Sequence, residues 1–188
     1  NRKRAARSGE RLARLKAIDR TRLSHGVALD LDVCQTAHEL AAEGWRTMPV
    51  GDVAIFNSNN SYRSTPYVVS QNTGAYVELP DTLENHHDVA NAADADAYLA
   101  RITAYARALN GETGRLTADQ AQGAILPGFL NDIAVRQLHG MRDQPSEQWG
   151  LIETFKTKVA KAGLPGSYVD KAAAIVRQQV APALDRQA

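Results

Sequence analysis

Apolar residues recur every three to four positions along most of this chain. That period constrains the fold more than any single motif does. Tyr98, Leu99, Ile102, Tyr105, Ala106 and Leu109 lie on one helical face, in a helix that opens at Ala93-Asp94 and ends near Gly111. Leu12, Leu15 and Ile18 mark a first helix up to about Arg20. Ser24 stands at an N-cap position before Val27, Leu31, Cys34, Ala37, His38 and Ala41, and Gly44 reads as the stop. The spacing predicts that these first two helices pair antiparallel, with Cys34 buried as a small hydrophobe.

Further along, Thr117-Ala118-Asp119-Gln120 has the form of a capping box. Pro127 suits the opening of a helix that turns Phe129, Leu130, Ile133, Ala134 and Leu138 inward. Trp149, Ile152, Phe155 and Val159 define the next helix, closed by Gly163 and Pro165. Val169, Ala172, Ala173, Val176 and Val180 define the last, and Pro182 is expected to kink or end it. The fold class is therefore all-α, built of helix hairpins or a bundle.

Residues 45–85 break the period. Pro49, Gly51, the Asn57–Ser61 cluster, Pro66, Gly74 and Pro80 punctuate this long irregular segment. Two short β-favouring runs, Tyr67–Gln71 and Ala75–Leu79, flank Asn72-Thr73-Gly74, a spacing that allows a small β-hairpin. Trp45, Phe56, Tyr62, Tyr67 and Tyr76 fall in the same stretch, so it is expected to pack across the helices. Connections this long in a compact domain are commonly functional.

The chain carries 22 Lys and Arg against 21 Asp and Glu, a formal net charge of +1. That balance argues against chain-wide attraction to nucleic acid or to an acidic membrane. The positive charge is concentrated at the start: Arg2, Lys3, Arg4, Arg7, Arg11, Arg14, Lys16, Arg20 and Arg22 are opposed by Glu10 and Asp19. No aromatic residue interleaves with them to stack on bases, so the run reads as a solvated helix face. No apolar run approaches the ~20 residues that span a bilayer.

Motifs for chemistry are scarce. His38-Glu39 begins like the His-Glu-x-x-His zinc motif, but Ala42 stands where the second imidazole belongs. His86-His87-Asp88 reads as a polar loop at a helix entry rather than a ligand set. Cys34 is the sole cysteine, which rules out an intrachain disulfide and a multi-cysteine metal site. There is no nucleophile elbow, phosphate loop or dinucleotide fingerprint.

Pro66-Tyr67-Val68-Val69-Ser70-Gln71-Asn72-Thr73-Gly74, followed by Leu79-Pro80, resembles the N-terminal half of the bacterial domain-of-unknown-function family number 885. Ala92 to Arg101, then Gly123 and Pro127, and the opening Leu15-Lys16-Ala17-Ile18-Asp19 before Leu23-Ser24 extend the likeness in order. The resemblance implies a mainly helical protein of several hundred residues, similar in architecture to helical zinc peptidases. It places the family's His-Glu-x-x-Pro-Gly-His metal motif in a C-terminal half outside this chain. Residues 1–188 would then be one helical region, the N-terminal fragment of a larger protein, with 45–85 a cleft-type segment within it. Asn1 in place of Met, and Ala188 within a helical pattern, fit a piece cut at both ends.

On this resemblance Tyr67, Ser70, Gln71, Asn72 and Gly74 would line a substrate groove that grips an extended peptide, without catalytic or metal-binding residues of their own. The competing structural reading has Gln71 and Asn72 satisfying loop backbone groups and Gly74 supplying a positive φ for the turn. The expected partners are the missing C-terminal half and a peptide substrate, with no nucleic acid and no membrane span. Zinc belongs to the full-length protein. Exported relatives make a periplasmic location compatible with the sequence. The competing reading is a non-catalytic helical interaction module whose basic first helix docks a partner. Either way, this chain alone is expected to hold no stoichiometric zinc. Elemental analysis after dialysis against a weak chelator checks this, and one tightly held zinc per chain would contradict it.

Overall fold

A computed structural model of the chain describes residues 2–51 and 67–188. Helices account for nearly all of the regular structure, as the apolar period predicts: α1 (Arg2–Lys16), α2 (His25–Thr47), α3 (Ala75–Asn85), α4 (Ala92–Gln120), α5 (Gly128–Arg142), α6 (Gly150–Lys161), α7 (Ser167–Ile175) and α8 (Ala181–Gln187). The chain divides into two compact units. The first holds residues up to Val68 together with Asp119–Ile125, and the second holds Val69–Ala118 and Leu126–Ala188.

In the first unit α1 and α2 form an antiparallel hairpin. Ser24 caps α2, its side chain accepting from the Val27 amide. The connection is braced by Arg20, whose guanidinium makes a two-pronged pair with Asp32 at 2.7 and 3.1 Å, and by the Gln35 amide on the Leu15 carbonyl at 3.0 Å. Ala28, Leu31, His38 and Ala41 are the buried face of α2. Cys34 is exposed, which corrects its expected burial, and Val27 on the same face is exposed too. Each is a turn or less from Leu31, but the buried arc of α2 is narrower than the apolar stripe written in its sequence. Gly44 does not stop α2. The Met48 amide reaches back to the Gly44 carbonyl, and the Glu43–Arg46 pair supports the last turn. Elsewhere in this unit the buried Asp119 carboxylate accepts from the Gly51 amide at 2.9 Å, where Gly51 has a positive φ of 56°.

The second unit is built around α4. Tyr98 stacks on Phe155 of α6, centroids 4.1 Å apart and planes within 9°. Its hydroxyl donates to the Leu151 carbonyl at 2.7 Å. Ile102, Tyr105 and Leu109 continue the buried face and meet Leu83, Ile152, Val176, Val180 and Leu184 in one core. Each such side chain stabilises by roughly 1.5–3 kcal/mol when fully buried. That burial outweighs the roughly 1 kcal/mol cost of each of Gly111 and Gly114, so α4 runs through both to Gln120 instead of ending. The expected capping box at Thr117 is consequently interior to the helix, with the Thr117 hydroxyl bonding back to the Thr113 carbonyl. The entry to α4 lies where its sequence places it, at Ala92–Asp94. Asn91 accepts from the Ala93 and Asp94 amides while Asp94 accepts from those of Ala90 and Asn91.

Two further expectations are corrected here. The run Ala75–Leu79 is the first part of α3 and not a strand. A single Ser70↔Thr73 bridge is all that the described residues show of a hairpin. Phe129 is 69% exposed on the outer side of α5, while Ala134 and Leu138 are buried. The disturbance expected at Pro182 falls just ahead of it: α7 ends at Ile175, and α8 opens with Pro182 in its first turn. The turn Val176–Val180 widens to π geometry and the Ala181 amide reaches the Val176 carbonyl, leaving room for the proline ring at the start of α8.

The second unit also finishes α3. Lys158 of α6 spends its three protons on the carbonyls of Leu83, Glu84 and His87, at 3.2, 2.8 and 2.7 Å. Lys158→Met keeps much of the apolar stem but strands these carbonyls. It is expected to lower stability to urea by about 2 kcal/mol, and a loss below about 0.5 kcal/mol would show that water replaces the ammonium freely.

Candidate functional site

The predicted groove residues do not all fall together. Tyr67 belongs to the first unit, where it lines a groove of about 490 Å3 with Met48, Pro49, Val50 and Gln122–Ile125. Ser70, Gln71, Asn72 and Gly74 belong to the second and form a tight turn before α3. The backbones of Ser70 and Thr73 exchange both hydrogen bonds, at 3.0 and 3.3 Å. Their hydroxyls meet at 2.8 Å, and the Ser70 oxygen also takes the Asn72 amide. Ser70 is therefore committed to the turn, leaving Gln71 and Asn72 at its tip. The Gln71 amide oxygen is buried without a hydrogen-bond partner, which costs free energy unless another group supplies the donor.

Gly74 sets the exit from the turn. Its φ of 121° lies outside the range that other residues adopt readily, so a side chain here is strained even though an added Cβ would stand only in ordinary contact with Val69 and Tyr76 at 3.4 Å. Glycine also brings no side chain to cap α3. Glu112 of α4 does so instead, taking the Ala75 amide at 2.9 and 3.0 Å on its two oxygens, while Gln187 of α8 donates to it at 3.2 Å. One turn on, the Tyr76 hydroxyl sits 2.8 Å from both the Ser70 carbonyl and the Gln137 amide oxygen of α5. One proton cannot serve two acceptors. The hydroxyl alternates between them or, with the amide turned over, donates to one and accepts from the other.

Burial pushes the Tyr76 phenol up to about 12, with the Glu112 charge adding to it. Burial likewise holds the Glu112 carboxyl above the ordinary glutamate range, against the opposing Ala75 and Gln187 hydrogen bonds and the Arg115 charge. Both groups are thus kept neutral more readily than in water and tied to backbone. The cluster rigidifies the turn and contains no activated nucleophile or free base.

His87, expected in a polar loop, is buried beneath Tyr98, ring centroids 4.9 Å apart. Arg101 donates to its Nδ1, which leaves Nε2 to donate to the Asp94 carbonyl at 3.1 Å. Burial, then the Arg101 charge, moves its pKa below the ordinary value, so the ring is neutral and fully engaged. His86 points outward near Asp81. Among the described residues no three His, Cys, Asp or Glu side chains converge as a metal site. Sequence reasoning missed Glu112, Gln137 and Gln187, which lie 37 to 112 positions from the α3 entrance or from one another's partners and carry no local signal.

The Glu112 carboxyl binds its proton more tightly folded than unfolded. Its contribution therefore favours the fold at low pH and is lost as pH rises from about 4.5 through the folded value. Glu112→Gln keeps an acceptor for Ala75 and should flatten the fall of urea stability between about pH 4 and 7. Glu112→Ala removes the cap and should cost about 1–2 kcal/mol. Parallel pH profiles for the parent and the Gln variant would contradict this assignment.

The chain's fold recurs in a solved protein. The crystal structure of the putative lipoprotein from Colwellia psychrerythraea superposes with a TM-score of 0.84 at 19% identity, over 97% of this chain. This chain spans 31% of that one. No curated protein matches it. The model of the family described as "Bacterial protein of unknown function (DUF885)" matches residues 1–188, so the chain belongs to that family over its whole length.

Proposed function

We propose that this chain forms part of the substrate-binding wall of a larger, metal-dependent, peptidase-like hydrolase and performs no chemistry itself. In this reading zinc, its ligands and the general base lie in another part of the protein, and a peptide passes over the turn at residues 70–74. The single observation behind it is the buried, unpartnered Gln71 amide oxygen at the tip of a turn that Ser70, Thr73, Tyr76 and Glu112 hold rigid. Such an acceptor, with the exposed Asn72 amide beside it, suits the backbone N–H groups of an extended chain. Rigidity matters because a preformed turn loses little entropy on binding.

Gln71→Ala in the full-length protein, assayed on a panel of short peptides, should raise KM by about two- to tenfold, the value of one neutral hydrogen bond made alike to substrate and transition state. Its kcat should stay within about twofold. Loss of kcat by orders of magnitude at unchanged KM would place a catalytic group here, and unchanged kinetics would leave Gln71 to the turn alone.

A further inference from the structure

The α1/α2 hairpin carries a surface that the groove reading does not use. Lys3, Arg7, Arg11 and Arg14 are all exposed and fall within a narrow arc of α1 by helical period. Together they span about 17 Å of helix. None of them pairs with a carboxylate among the described residues. Of the four acids of α2, Asp32 is taken by Arg20, Glu39 by Lys16 and Glu43 by Arg46, and Asp30 pairs with none of the four cations. Glu10 is the single acid of α1. Directly beside this cationic line runs an apolar groove of about 430 Å3 between the helices, bounded by Arg11, Arg14, Leu15, Ile18, Cys34 and His38. Ile18 is 45% exposed, and Val27, on the same face of α2 as Cys34, is 50% exposed.

We propose that this groove docks an acidic amphipathic helix as a third helix against α1 and α2. Its apolar residues would fill the space over Leu15, Ile18 and Cys34, and its Asp and Glu residues one turn apart would face the four cations. The concavity selects a helix over a flat lipid surface, because a bilayer needs apolar groups that protrude. No Phe, Tyr or Trp lines the groove to stack on bases, which disfavours nucleic acid. The inference is independent of the hydrolase reading, since it draws on no residue of the turn at 70–74.

The test titrates a fluorescein-labelled synthetic helix, with leucine along one face and glutamate along its flanks, into the 188-residue chain. Binding by anisotropy is expected, and it should weaken as salt rises. Arg11→Glu together with Arg14→Glu should weaken it about tenfold, and Ile18→Ser should weaken it without changing the salt dependence. Circular dichroism of each variant guards against a melted hairpin. Equal binding of the same helix with lysine for glutamate would overturn the proposal, as would an unaffected double variant. Binding to phosphatidylglycerol vesicles or to oligo-dT in place of the peptide would equally overturn it.

Discussion

Helix α3 depends on charges delivered from distant parts of the chain, and the second unit is organised around that dependence. Its N-cap is a glycine, it contains Pro80, and its sequence favours a strand as much as a helix. Glu112 satisfies the amide at its start, and Lys158 satisfies three carbonyls at its end. The Lys158 ammonium has the sign that the helix dipole favours at a C-terminus, while Glu112 serves the N-terminus as a hydrogen-bond acceptor. Because the two side chains come from α4 and α6, α3 can form only when both are packed in place. The turn at residues 70–74 inherits its position from the same arrangement.

Aromatic packing fixes the helices that carry those two side chains. The stack of Tyr98 on Phe155 sets α4 against α6, and the Tyr98 hydroxyl ties itself to the first turn of α6. At that same turn the Glu84 carboxylate lies so close to Gly150 that a Cβ there would meet its oxygen at 2.7 Å. Burial raises the Glu84 pKa, Asp81 adding to it and Lys158 opposing it. Glu112 at the start of α3 and Lys158 at its end each have a structural partner, and Glu84 is held against the α6 entrance. This is why perturbed titration here does not translate into a catalytic constellation.

Membership of the DUF885 family and the shared helical fold leave activity to be argued from residues. The described residues offer two surfaces for that argument. One is a rigid turn with a buried, unpartnered amide oxygen, which we propose meets an extended chain. The other is a cationic hairpin groove, suited to an acidic helix. They lie in different compact units and use different physics, directional hydrogen bonding in one case and apolar filling with charge complementarity in the other.

The sequence by itself determined the helical class, the antiparallel first hairpin, the Ser24 cap and the inward faces of α4, α6 and α7. Each of these follows from period and caps that act within a few residues. The family was legible too, through the order of short motifs. The helix ends at Gly44 and Gly111, the strand expected at Ala75–Leu79, the burial of Cys34 and the fate of Pro182 were decided by tertiary structure. At Gly111 and at Ala75–Leu79, local propensity worth about 1 kcal/mol was overridden by burial or by a long-range hydrogen bond of equal or greater value. The Gln71 turn shows both levels at once. Its glycine and amides are visible in the sequence, but the Glu112 and Tyr76 contacts that hold it cross 37 and 61 residues, a distance over which no local pattern carries information.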